Sequence, residues 1–243
     1  MKNFIIRVAK ISDSKSIVNL INELAEFEKE PDSVKLKQKD IEKDGFGEVK
    51  VPSKALWGAQ TQRAVNNFPI SGIKMDFPFT KSFVSSLGLI KDAAAKANLR
   101  LKLISSKKSK AISKAAKEVW QEKHHNEFPI DVFQTGSGTS SNMNANEVIA
   151  SLATKYAKVK VGPNDDVNMS QSSNDVIPTA IKLSAHMDLT KKLFPKLDEL
   201  IETIDKKAES LKGTIKTGRT HLMDAMPIDF AEELMAWSSQ LQS

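Results

Sequence analysis

The sequence predicts a mainly α-helical fold, a helical domain followed by the first helices of a long central bundle, behind a short βα leader. Five segments, 80–101, 106–123, 142–158, 178–211 and 227–241, repeat apolar residues at helical spacing with few internal breakers. The 243 residues are 40% hydrophobic, enough for a sizeable core. No run approaches the ~18 apolar residues that a membrane-spanning helix takes, so the helices must bury their apolar faces on one another.

Taken in order, residues 4–8 read as a strand, Ser12 to Ser14 as a turn, and Ile17, Leu20, Ile21, Leu24 and Phe27 as the buried stripe of a first helix that Pro31 and Asp32 end. A polar, lysine-rich stretch leads to the turn Asp44-Gly-Phe-Gly47, and Val49, Val51 and Pro52 suggest a short extended piece. These features divide the chain into a leader at 1–40, a domain at 41–175 and bundle helices at 176–243. In the 106–123 helix, Ile112, Ala115, Ala116 and Val119 supply the buried stripe. Lys102, Lys107, Lys108, Lys110, Lys114 and Lys117 then fall on the solvated face. Pro195 removes a ladder hydrogen bond from the 178–211 segment and should kink or break it. The last helical pattern reaches Ser243 without a terminating signal, so the chain reads as cut within a bundle.

Composition removes several function classes. Without cysteine the chain cannot hold a thiolate nucleophile, a cysteine zinc site or an iron–sulfur cluster. The net charge of +6 is spread along the chain, and its one lysine cluster lacks interleaved arginines and aromatics, so no nucleic-acid partner is expected. Arg7 follows only three apolar residues, so no signal peptide is expected. The expected location is cytoplasmic, with no membrane association.

The loops carry the chemistry. Gln134-Thr-Gly-Ser-Gly-Thr-Ser-Ser-Asn142, the 162–175 stretch ending in Ser170-Gln-Ser-Ser-Asn-Asp175, and Gly218-Arg-Thr-His-Leu-Met-Asp224 each crowd hydroxyls and amides ahead of a helical pattern. A cap needs one oxygen. The surplus, added to the positive end of a helix dipole, suits a carboxylate or a phosphate. His221 stands beside Arg219 and Thr220, a combination fit for acid–base work on an anion. His124 and His125 point apart on a helix, and no other ligands converge, so no catalytic metal is expected. Gly136-Ser-Gly138 lacks the third glycine of a dinucleotide fingerprint, and nicotinamide binding is disfavoured.

Four blocks, Leu56-Trp-Gly-Ala-Gln-Thr-Gln-Arg63, Gln134-Thr-Gly-Ser-Gly-Thr139, Ser170-Gln-Ser-Ser-Asn-Asp175 and Gly218-Arg-Thr-His221, together resemble the N-terminal half of class II fumarate hydratase, in the fumarase/aspartase superfamily, from about residue 41 onward. Aspartase is similar but less so, favouring Gly-Arg-Thr-Gln in the last block. The resemblance implies a lyase of the tricarboxylic acid cycle that hydrates fumarate to L-malate without a cofactor. It also implies a homotetramer whose sites draw loops from three subunits. Carried over residue by residue, Ser137, Gly138 and Thr139 hold a substrate carboxylate, Ser172, Ser173 and Asn174 hold it from a second loop, Thr220 adds a hydroxyl, and His221 is the catalytic imidazole. Asn164 and Asp165 fall at the family's second anion site.

The chain departs from the family in three places. Gly162 stands where that second site has histidine, and Ile228-Asp-Phe-Ala-Glu-Glu233 replaces Leu-Thr-Leu-Gly-Gln-Glu. The mobile Gly-Ser-Ser-x-Met-Pro-x-Lys-x-Asn loop, whose serine takes the carbon-bound proton, does not occur in the sequence. The expectation is therefore a truncated, fumarase-type polypeptide that is not competent alone. The alternatives are a non-catalytic binding or assembly subunit and an aspartase-like ammonia-lyase. Residues 1–48 are similar to the opening of diamine-type N-acetyltransferases of the GNAT family, but the acetyl-CoA loop of that family is absent and no acetyltransferase activity is expected.

Overall fold

The structure, a computed structural model, describes residues 49, 51–52, 54–75, 81–134 and 136–243. The expected βα leader and its acetyltransferase resemblance lie outside the described residues. What is described is mainly helical: α1 (Ala59–Asn67), α2 (Lys81–Arg100), α3 (Ser106–Trp120), α4 (Thr139–Ala157), α5 (Ser173–Asp188), α6 (Phe194–Leu211) and α7 (Phe230–Gln242). One two-stranded hairpin, β1 (Ile215–Thr220) with β2 (Met223–Asp229), separates α6 from α7. None of the described helices is long and apolar enough to cross a membrane.

The main core lies where α2, α3, α4 and the start of α5 meet. Val84 and Leu87 of α2, the predicted stripe Ile112, Ala115, Ala116 and Val119 of α3, and Val148, Ile149 and Ala153 of α4 are all buried there. Burying each Val, Leu or Ile side chain contributes roughly 1.5–3 kcal/mol, and each alanine methyl less. The α2 and α3 backbones approach closely at Gly88, where a Cβ would lie 2.8 Å from Trp120 N and 2.9 Å from Ala116 O. The lysine-bearing face of α3 is solvated, apart from Lys108, paired with Asp166 at 2.8 Å, and Lys114, 4.0 Å from the centre of the Tyr156 ring. On the far side of α4, the Glu147 carboxylate accepts from the amides of Gly58 (2.8 Å), Gln60 (3.0 Å) and Thr61 (3.1 Å). A carboxylate on the orphan amides of a helix start is favourable, and it fastens the Leu56–Arg63 block to the core.

Four details differ from the sequence reading. The helices expected from 142 and 178 start earlier, at Thr139 and Ser173, because the hydroxyl-rich residues enter the helices as their first turns. Pro178 then sits inside α5. Pro195 does not break the long helix: a single π turn, Leu189–Leu193, spaces the ladder so that Phe194 N bonds Leu189 O, and the proline follows directly, where the ladder has already changed spacing. Gly218-Arg-Thr-His221 is not a loop at a helix start. Its first three residues lie in β1, and the tip closes through His221 and Leu222 at φ 48° and 61°. Both tip residues occupy the left-handed region that a two-residue hairpin turn needs, usually supplied by Asn-Gly, so the turn had no compositional signal. Finally, His124 lies in a turn, bonded to Glu118 at 2.9 Å, and His125 opens a short 3-10 turn, rather than both lying within a helix.

Candidate functional site

Two of the three hydroxyl-rich loops meet. The first reaches α4 through Gly136 and Gly138, both left-handed at φ 78° and 73°. Gly138 is doubly constrained, since a Cβ there would lie 2.8 Å from Ile177 of α5. With no side chain at this N-cap, the helix start is served by its neighbours: Ser137 Oγ accepts from Thr139 N (3.4 Å), and Gln134 Oε1 accepts from Ser141 N (3.2 Å). Ser137 Oγ also donates to Thr139 Oγ1 (3.1 Å), so the Thr139 hydroxyl has its own proton to offer elsewhere.

The second loop ends on α5, where Ser172 Oγ caps the helix by accepting from Asn174 N at 3.2 Å. The junction between the loops is Asn142, fully buried in the first turn of α4. Its Nδ2 donates to Ser173 Oγ (2.9 Å) and to Asn168 Oδ1 (3.3 Å). With a lone pair of Ser173 occupied by that amide, its O–H is left to donate. Ser137, Thr139, Ser172 and Asn174 are exposed and Ser173 is half-buried. The starts of two helices thus abut, each carrying a partial positive charge of ~0.5, with exposed hydroxyls at both. Such an arrangement has the charge and donors to suit an anion, a carboxylate or a phosphate.

Beneath the junction lies Lys91 of α2, 0% exposed. Its Nζ donates to Asn168 Oδ1 and Gln171 Oε1, both at 2.9 Å. Burial lowers its amine from the ordinary lysine value to about 7. The sequence reading did not single out Lys91, although its signal is visible: Leu87, Lys91 and Ala95 follow one another at helical spacing, which puts a lysine in the apolar stripe.

The third block is elsewhere. Thr220 and His221 are exposed at the hairpin tip. The base of the hairpin is tied to the end of α6 by Gly213 N to Asp229 Oδ2 (2.7 Å) and Thr214 N to Leu211 O (3.0 Å). From Ser173 through the π turn to Leu211 the helix runs on without a gap, roughly 55–60 Å at ~1.5 Å per residue. A hairpin of this length reaches back no more than ~20 Å, so His221 stands at least about 30 Å from Ser173 of the same chain. Asn164 and Asp165 are exposed on a second π turn, Pro163–Val167, while the neighbouring Asp166 is buried and bound to Lys108 and Gly162 N.

Comparison with known proteins gives a consistent result. The lyase family model matches residues 47–243. The class II fumarate hydratase of Xylella fastidiosa (strain Temecula1) is 54% identical over 203 residues, covering 84% of this chain and 42% of that protein. Class II fumarate hydratase 2 of Pseudomonas aeruginosa is 50% identical over 202 residues, 83% of this chain and 43% of that protein. Among solved structures, class II fumarase from Schistosoma mansoni superposes with a TM-score of 0.77 at 43% identity, covering 82% of this chain and 42% of that one. A fumarate lyase:delta crystallin from Brucella melitensis gives 0.77 at 40% identity, covering 82% and 46%. The chain spans less than half the length of the relatives it matches.

Proposed function

We propose that this chain, which belongs to the lyase family and carries the class II fumarate hydratase/aspartase superfamily fold, supplies carboxylate-binding loops and an acid–base imidazole for the reversible hydration of fumarate to L-malate. The observation that carries this reading is the abutment of the two donor loops through Asn142 and Ser173. Removing a proton beside a carboxylate builds a dianionic aci-carboxylate, which only convergent, preorganised donors stabilise. Ser137, Thr139 and the backbone at Gly138 grip the carboxylate from one helix start; Ser172, Ser173 and Asn174 grip it from the other. His221, with Thr220 beside it, moves protons.

The separation of His221 from Ser173 supports a composite site, in which the hairpin of one copy meets the loops of another, and hence a homo-oligomer on the family's tetrameric pattern. No metal or cofactor has a role in this reading, and Asn164 and Asp165 form a peripheral anion contact at most, without the histidine.

A second reading is favoured by one specific observation. Apolar side chains on α5, α6 and α7 stand exposed, among them Met235 and Trp237, so the chain also fits a subunit that binds and assembles without turnover. Because the family's serine-loop motif does not occur in these residues, the purified chain should bind succinate and leave fumarate absorbance constant. Ser172→Ala and Ser137→Ala should each weaken succinate binding by about tenfold, the effect of one lost charge-assisted hydrogen bond. Succinate affinity unchanged in both variants would sink the reading. Fumarate consumption by the intact chain that disappears in His221→Asn would show instead that it turns over alone.

A further inference from the structure

We propose that Lys91 is a positioning residue for the anion site: its buried ammonium clamps Asn168 and Gln171 under the second loop, reaches the first through Asn142, and supplies the positive charge that a bound carboxylate balances. The inference rests on the dicarboxylate reading only for its last clause. The clamp stands on geometry. Asn168 Oδ1 accepts from Lys91 Nζ at 2.9 Å and from Asn142 Nδ2 at 3.3 Å, and Asn142 Nδ2 continues to Ser173 Oγ at 2.9 Å. Gln171, the other acceptor of Lys91, immediately precedes Ser172 and is itself fixed by donating Nε2 to Val167 O at 2.8 Å. One nitrogen thus lies at the root of both donor loops.

A lysine this deeply buried is ordinarily matched by an acid. Here both acceptors are neutral amides. The acids on the elements packed around α2 are engaged otherwise or exposed. On α2 itself Asp92 binds Lys96 at 2.7 Å; Asp166 binds Lys108, Glu118 binds His124 and Tyr156, Glu147 caps α1, Asp188 binds Lys192 and Ser82, and Asp165 and Asp175 are exposed. Of the cations on those elements, Lys108 is paired, Lys114 lies over the Tyr156 ring, and Lys107, Lys110, Lys117, Lys155, Lys182 and His186 are exposed. A buried cation facing only amide oxygens, under two loops rich in hydroxyls, has an anion as its natural counter-charge. Binding of that anion in turn favours the protonated amine, so it should draw a proton from solvent.

The test compares the full chain with Lys91→Met, which keeps the volume and removes the charge, and with Asn168→Ala, which cuts the clamp at a half-buried position and leaves Lys91 in place. Amide hydrogen exchange reads the loops without ligand, and calorimetric titration with succinate in buffers of different ionisation enthalpy reads affinity and proton uptake. The expected result is faster exchange at 136–142 and 168–175 in both variants, with the rest of α2 to α4 unchanged. Lys91→Met should also weaken succinate by about tenfold or more, as expected for one unit charge removed from the neighbourhood of a bound anion, and abolish proton uptake. Unchanged exchange in both loops overturns the clamp, and succinate binding with the same affinity and proton uptake in Lys91→Met overturns the charge role. If the unsubstituted chain itself fails to bind succinate, the dicarboxylate reading and the charge role fall together. The exchange data then decide the clamp alone, and if Lys91→Met does not fold, Asn168→Ala supplies them.

Discussion

The two ends of the long helix lie in opposite surroundings. At its start, Val176, Ile177 and Ala180 of α5 are buried against a core shared with α2, α3 and α4. At its far end only Ala208, Ala231 and Leu234 are buried together, while Met226 (79% exposed), Met235 and Trp237 face outward. Between the groove residues Asp205, Glu209 and Lys212 of α6 and Glu232 and Met235 of α7 there is still a cavity of about 650 Å³. The first region therefore holds itself together, and the second shows apolar surface of the kind that gains by being covered. The same contrast appears in the polar groups. Asn142 and Lys91 both donate to Asn168 in the first region, whereas the ion pairs of α6, Lys196 with Glu199 and Lys206 with Glu202, are all exposed.

Substitutions should expose this asymmetry, and the largest effect belongs to the core. Ile112→Ala, at a fully buried position, should lower stability by about 2–5 kcal/mol. Leu234→Ala in the dilute chain should lose well under half as much, because its neighbours are few; equal losses in denaturant titration would erase the distinction between the regions.

Next comes pH. The Lys91 amine is lowered in the folded chain to about 7, so between there and its ordinary value of 10.5 the unfolded chain binds more protons. Its stabilising contribution is then fully present above 10.5 and lost as pH falls through about 7. Relative to Lys91→Met, the chain should gain a few kcal/mol as pH rises across that window. The slope is about 1.4 kcal/mol for each pH unit, which sets an upper limit of roughly 5 kcal/mol. Identical pH profiles for the two proteins would show that the amine is not buried as a charge.

A smaller effect is expected at Gly138. Alanine there must adopt φ 73° and push against Ile177, at a cost of about 1–3 kcal/mol. Because the contact joins the two loops, succinate affinity should fall with it. At the bottom of the scale, Lys206→Ala on α6 should change stability by no more than about 0.5 kcal/mol, as exposed i,i+4 pairs do.

The sequence was most legible where periodicity and burial coincide. The stripe Ile112, Ala115, Ala116 and Val119 could be read directly, because the spacing of apolar residues is itself the cause of the packing. The hydroxyl loops were legible as donors, yet their partition was not: that Ser172 caps while Ser173 is gripped by Asn142 depends on the contact of α4 with α5, which no local pattern encodes. The hairpin escaped for the opposite reason. Its tip is His221-Leu222 rather than an Asn-Gly pair, so local preference pointed away from the turn that β1 and β2 together impose. Lys91 was hidden in plain view, a charge inside an apolar rhythm that is easily passed over as a solvated face.

The π turn at Leu189–Leu193 sets the angular phase of everything beyond it. One extra residue in a helix advances the following side chains by about 100°, so the direction in which α6, the hairpin and α7 project is fixed by a single inserted position. Deleting one residue from this turn would scarcely shorten the rod. It would rotate Leu200, the hairpin and His221 to a different compass bearing from the donor loops, and a one-codon deletion here acts as a dial rather than as a trim.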